Sequence, residues 1–152
     1  MAAIDGDTRS PGRRLRPGLE LLADHPGTGP EIQRRHTYFV RLKLWLNRGQ
    51  PVLWRWPSGL VDRARLEDGG ATLVSDLRID REHLIPGLFQ GVAGMRVGGR
   101  RKLRISPHLA YGDRGIDGIV PPAALLVAEI QIIEERVVID RPDADNPVGP
   151  SA

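Results

Sequence analysis

The chain contains no cysteine, and only two tyrosines, two phenylalanines and three tryptophans in 152 residues. The missing cysteine excludes a disulfide framework, a thiol nucleophile and any cysteine-ligated zinc or iron–sulfur site. No apolar run is longer than about six residues, against the ~20 that a membrane-spanning helix needs, so no membrane partner is expected. The opening Met1 to Asp5 lacks a basic stretch leading into an apolar one. A secretory leader is therefore not expected, and a cytoplasmic location is. His25, His36, His83 and His108 show no i/i+4 or similar ligand spacing, so neither a metal site nor a cofactor is called for. Ser106, His108 and Asp113 are close in sequence, but no nucleophile elbow accompanies them. Gly27-Thr28-Gly29 and Gly98-Gly99 are too sparse for a phosphate loop and read as turns.

What is present suits one domain. Forty per cent apolar residues is enough for a single core, and 18 glycines with 13 prolines favour short strands and many turns over a helical bundle. Net charge is +3, with basic clusters at Arg13, Arg14 and Arg16 and at Arg100, Arg101, Lys102 and Arg104. Either cluster has the charge to meet an anion or a nucleic-acid backbone. Neither is interleaved with the aromatics on which bases stack, so a solvated surface is expected and a nucleic-acid partner is not. Residues 1–16 and 137–152 are polar, without periodicity, and read as a loose arm and a flexible tail around a domain at 17–136.

Within that domain Thr37 to Leu46 alternates, with Tyr38, Val40, Leu42, Leu44 and Leu46 on one face. Asn47-Arg48-Gly49 supplies a turn, and Val52, Trp54 and Trp56 alternate in a returning strand. Pro57 to Gly70 is a polar connection with a short helical piece expected at Leu60 to Arg65. Thr72 to Ile79 is a strand. A short helix is expected from Pro86 to about Met95, with proline at its first position and Gly94, Gly98 and Gly99 ending it. Arg100 to Ile105 and Ala124 to Glu134 complete the strands. Leu126, Ala128, Ile130 and Ile132 share a face. Arg101 falls in phase with the inward Leu103 and Ile105, so its head is expected to reach solvent from a strand end.

Leu84-Ile85-Pro86-Gly87, then Tyr111-Gly112, then Ile119-Val120-Pro121-Pro122 supply neither nucleophile nor metal ligands. They supply an apolar hollow with one hydroxyl in it. In order along the chain, Leu84, Ile85, Gly87, Gly91 and Val92, then Met95, Val97 and Gly98 form a pattern. It continues through Ile105, Pro107, Ala110, Tyr111 and Gly112 to Gly118, Ile119, Pro121 and Pro122. This pattern resembles the FKBP family of peptidyl-prolyl isomerases over Leu84 to Glu135. The resemblance implies an α+β fold, a twisted antiparallel β-sheet wrapped around one short helix. It implies non-covalent rotation of X-Pro bonds, with proline-containing peptides or partly folded proteins as partners of a monomer.

By the same resemblance Tyr111 and the Ile85 N–H are the hydrogen-bonding groups of the site. Leu84 forms a wall, Leu88 the floor, and Ile119 and Val120 the far wall, with Leu42, Val52 and Ala128 around rim and base. The family's floor tryptophan is Leu88 here, the aromatic of its last strand is Ala128, and its first-strand tyrosine is Leu42. Its Phe-Asp pair after the hairpin corresponds to Val52-Leu53. An apolar shell that has lost its rings grips a proline less firmly. Two further readings therefore stand beside the isomerase: a binding or chaperone module of the same fold with little catalysis, and an apolar small-molecule binder.

Overall fold

The computed structural model describes residues 13–54 and 65–136. Its strands are β1 (Arg13–Arg16), β2 (Leu19–His25), β3 (Thr37–Leu46), β4 (Arg65–Glu67), β5 (Thr72–Arg78), β6 (Arg100–Ile105) and β7 (Leu126–Arg136), and its helix is α1 (Pro86–Gly91). The strands form one sheet in the order β1-β2-β6-β7-β3-β5-β4. Every pairing in it is antiparallel. This is the α+β arrangement expected, an antiparallel sheet with one short helix.

The two long central strands follow the period-2 rule. Tyr38, Val40, Leu42 and Leu44 of β3 are buried, as are Leu126, Ala128, Ile130 and Ile132 of β7. Leu42 lies opposite Ile130 and Leu44 opposite Ala128, so both apolar faces fall on the same side. Near the end of the pairing Phe39 faces Glu134 while Val40 faces Ile132, which leaves Ile133 as the extra residue of a bulge.

The helix is held against the sheet by two glycines one turn apart. A Cβ on Gly91 would sit 2.5 Å from Leu103 Cδ1. One on Gly87 would collide with Ile105 and lie 3.1 Å from the Leu109 carbonyl oxygen. Only hydrogen at both positions lets the helix backbone settle on β6 and on the 3-10 turn Pro107–Leu109. The helix also stops sooner than the expected Met95. The cap at Val92 donates to the Leu88 carbonyl, and a separate turn brings the Met95 N–H to Val92 O at 3.0 Å. Gly94 at φ +85° takes the chain out of helical geometry.

Four other expectations change. Arg13–Arg16, placed in the loose arm, pairs with β2 at the sheet edge, and Leu15 is exposed there. The rest of that arm and the tail from residue 137 lie outside the described residues. The returning strand does not form over its described part. Pro51 makes a single bridge to Trp45 and Val52 donates to Leu44 O, after which the Trp54 N–H turns to Gly70 O at 2.8 Å. A proline without an N–H cannot extend that ladder; Trp56 lies outside the described residues. Arg65, expected to end a helical piece, begins β4, and the rest of that piece is likewise outside.

Arg101 is the fourth. Its side chain is only 11% exposed and pairs with Asp24 at 3.1 Å. Its head does not reach out to solvent. It is directed back onto the carbonyls of Gly91 and Ala93, at 2.8 and 2.7 Å.

Candidate functional site

Pro86 shapes the first part of the site. A residue before proline is pushed to extended geometry, and Ile85 sits at φ −61°, ψ 151°. Its carbonyl accepts from the N–H groups of Leu88 and Phe89, both at 3.0 Å. Its own N–H finds no acceptor among the described residues. The preceding turn is set by Asp80, whose Oδ1 accepts from the N–H groups of Glu82 and His83 and bonds His83 Nδ1 at 2.7 Å. Its other oxygen accepts from Arg78 Nε at 2.9 Å. Burial works to raise the Asp80 carboxyl, but the hydrogen bonds and charge of His83, with the Glu82 N–H, hold it below its ordinary value. Asp80, Glu82 and His83 bring ligand atoms within 4.8 Å of one another, a cluster the histidine spacing did not reveal. With both oxygens of Asp80 already engaged, the cluster reads as the lock of a turn.

The second part follows β6. The Pro107–Leu109 turn is closed by Gly112 N–H donating to Pro107 O at 2.8 Å, which fixes Tyr111 between them. The Tyr111 ring packs on the core while its hydroxyl makes no hydrogen bond among the described residues. Desolvation by burial pushes the hydroxyl up to about 12. It is therefore a proton-bearing donor at any physiological pH. Ile119 and Val120 return on the same loop, where Ile116 and Val120 exchange hydrogen bonds of 2.8 Å in both directions. A Cβ on Gly115 would run into the carbonyls of Val120 and Pro121, so the loop is drawn tight.

All nine residues expected at the site belong to one apolar cluster or pack against it. Leu42, Val52, Leu84, Leu88, Val120 and Ala128 are buried, so Leu42, Val52 and Ala128 do not form a rim. Ile85, Tyr111 and Ile119 are half-buried, so they are the three of the nine that reach the surface. The contact of Gly87 with Leu109 O brings the segment bearing Ile85 beside the segment bearing Tyr111. The chemistry on offer is thus two donors, unpaired among the described residues, at the edge of an apolar base. Ser106, His108 and Asp113 make no side-chain hydrogen bonds among the described residues.

Sequence reasoning missed three features: the hydrogen bond made by Ser75, the cations over Phe89, and a hollow. Ser75 is buried in β5, its Oγ donating to the Asp76 carbonyl at 3.0 Å. Phe89 is buried on α1 under the guanidinium groups of Arg34 and Arg81. A hollow of about 270 Å³ opens between the Asn47–Arg48 turn and Pro121, Ala124 and Leu125, and none of the nine expected residues lines it. Only a register across elements distant in sequence would have exposed these. The basic stretch of β6 meets carboxylates across the sheet: Arg104 faces and pairs with Glu20 at 2.6 Å, and Arg100 lies 3.7 Å from Glu129.

Comparison with known proteins places these elements in a family. Residues 64–133 match the family described as FKBP-type peptidyl-prolyl cis-trans isomerase. The peptidyl-prolyl cis-trans isomerase FPR2 of Saccharomyces cerevisiae is 45% identical over 92 residues, which cover 58% of this chain and 67% of that protein. FK506-binding protein 1A of Neurospora crassa is 40% identical over 55 residues, 36% of this chain and 46% of that protein. Among solved structures, the crystal structure of AtFKBP13 superposes with a TM-score of 0.60 at 30% identity, over 79% of this chain and 94% of that one.

Proposed function

The chain belongs to the FKBP-type peptidyl-prolyl cis-trans isomerase family and is an isomerase of that type, and we propose that it works through Ile85, Tyr111 and Ile119 over an apolar base. The observation that carries this is the pair of donors without a partner among the described residues, the Ile85 N–H and the Tyr111 hydroxyl, beside an apolar base that includes Leu84, Leu88 and Val120.

The barrier to rotating a peptide bond is about 18–20 kcal/mol, and no bond need be made or broken to lower it. Twisting the C–N bond removes resonance, leaves less charge on oxygen and makes the nitrogen more pyramidal. An apolar surface disfavours the planar, more polar amide relative to the twisted one. A hydrogen bond to the oxygen of the rotating amide would work against this, by holding the planar form. The two donors therefore act on carbonyls flanking that bond, fixing the chain on either side while the proline ring rests on Ile119 and the base. A thousandfold acceleration requires about 4 kcal/mol of such differential binding. Clients are proline-containing peptides and partly folded chains that present the same segment.

The test is cis/trans exchange in a proline peptide series, followed by two-dimensional NMR with substoichiometric protein. Exchange faster than the uncatalysed rate, and lost in Ile119→Arg, supports this site. Peptide-induced shifts at Ile85, Tyr111 and Ile119 without acceleration would leave a binding module in its place.

A further inference from the structure

A small cavity of about 70 Å³ lies at the α1 entrance, lined by Arg81, Leu84, Pro86, Phe89 and Gln90. Three observations make it more than a packing gap. Leu84 and Pro86, two of its walls, flank Ile85, so it begins one residue, ~3.8 Å, from the backbone that offers the free N–H. The guanidinium groups of Arg34 and Arg81 stand 5.2 and 5.4 Å from the centroid of the Phe89 ring, and neither makes an ion pair or hydrogen bond among the described residues. Gln90 Oε1 is buried without a partner, and a half-turn of that amide presents its NH₂ instead.

We propose that this cavity is a specificity subsite that takes the carboxylate of an aspartate or glutamate close to the client's proline. A water molecule occupies about 30 Å³, so the cavity admits a group of carboxylate size and not a ring. Arg81 on the wall and Arg34 over the ring of Phe89, neither with a counter-charge among the described residues, together with a lining amide able to donate, are the complement of a carboxylate. The nearby acids do not satisfy them: Asp80 is held by Arg78 and His83, and Glu82, exposed and next in the chain, does not line the cavity. An extended client advances ~3.3 Å per residue. Anchored at Ile85, it reaches the cavity within one or two residues.

This rests on the isomerase reading, and the test separates the two. Exchange rates are measured with the full chain for peptides carrying Glu, Gln or Lys at each position from two before to three after the proline. At one position Glu is expected to exceed Gln about fivefold in kcat/KM, the margin shrinking at high salt as the interaction is screened. That Glu/Gln ratio falls to about one in Arg81→Gln and in Arg34→Gln. Equal rates for Glu and Gln at every position, or a preference that survives both substitutions, overturns the subsite. Should no peptide be accelerated, the isomerase reading falls, and the subsite is then read from binding. A shift of the Gln90 side-chain amide with the Glu peptide and not the Gln peptide supports it; equal responses overturn it.

Discussion

Arg101 Nη1 donates to the Gly91 carbonyl at 2.8 Å, and through that bond the start of β6 holds the end of α1. The same nitrogen reaches Ala93 O, and Nε pairs with Asp24 opposite it in β2. One side chain therefore joins the helix to two strands. The helix it anchors is the one whose entrance carries Ile85.

Replacing Arg101 by alanine leaves those carbonyls without their donor and Asp24 without its partner. Breaking a fully buried pair costs about 3–5 kcal/mol, but Asp24 is partly exposed and retains some water. The expected loss is about 2–3 kcal/mol. Arg101→Lys keeps the charge without the fork and should fall between the two. Urea unfolding of the three proteins checks the order, and an alanine variant as stable as the parent would refute the role.

Gly87→Ala tests the closeness of helix and turn. At an exposed helical position alanine would be stabilising by up to ~1 kcal/mol. Here its Cβ meets Ile105 and the Leu109 carbonyl, a backbone atom that cannot swing aside. The expected sign is reversed, a loss of about 1–3 kcal/mol. Because the contact sets Ile85 against Tyr111, kcat/KM should drop even where the variant is fully folded, as judged by circular dichroism in the same buffer.

Much of this fold was legible because local and global preferences agree. Thr37–Leu46 alternates over most of its length and Arg100–Ile105 in its second half, and the ends of both coincide with those read from sequence. Where the reading departed, a partner distant in the chain decided. Arg101 looks like a surface residue until Gly91 and Asp24 are brought to it. The strand at Arg13–Arg16 needs β2 to pair with, and the role of Gly91 as a contact is hidden until Leu103 is packed against it. The site divided in the same way. Pro86 predicts the extended Ile85, and alternation puts Leu42 and Ala128 on the apolar faces of their strands, whereas the burial of Val52 outside any strand depends on the packing of the whole sheet.

Tyr111→Phe removes a hydroxyl that bonds to nothing among the described residues. Stability should change by less than ~0.5 kcal/mol, while exchange catalysis falls about tenfold, the equivalent of one hydrogen bond of ~1.4 kcal/mol. With the hydroxyl held at about 12, the rate should be flat through pH 10. Stability has its own window. The folded protein keeps its proton to about 12 while the unfolded chain loses it near the ordinary tyrosine value of ~10. Between those values the unfolded state binds fewer protons, so stability declines as pH rises, and the decline should be smaller in Tyr111→Phe. Thermal melts from pH 8 upward, taken for both proteins, make the comparison.

Restoring a ring to the base gives the last test. Ala128 is completely buried, directly between Leu44 of β3 and Leu103 of β6, so no vacancy awaits a phenyl group. If the base had merely lost an aromatic, Ala128→Phe would fill the gap, stabilise the fold and tighten peptide binding. A base repacked around a methyl group must instead shift β3 or β6 to admit the ring, at about 1–3 kcal/mol. The burial of Leu42, Leu88 and Val52 in the same apolar cluster favours repacking. Ala128→Phe should therefore lower the midpoint of urea unfolding and leave the peptide KM no better. A variant that gained both stability and affinity would show that the base is an open hollow.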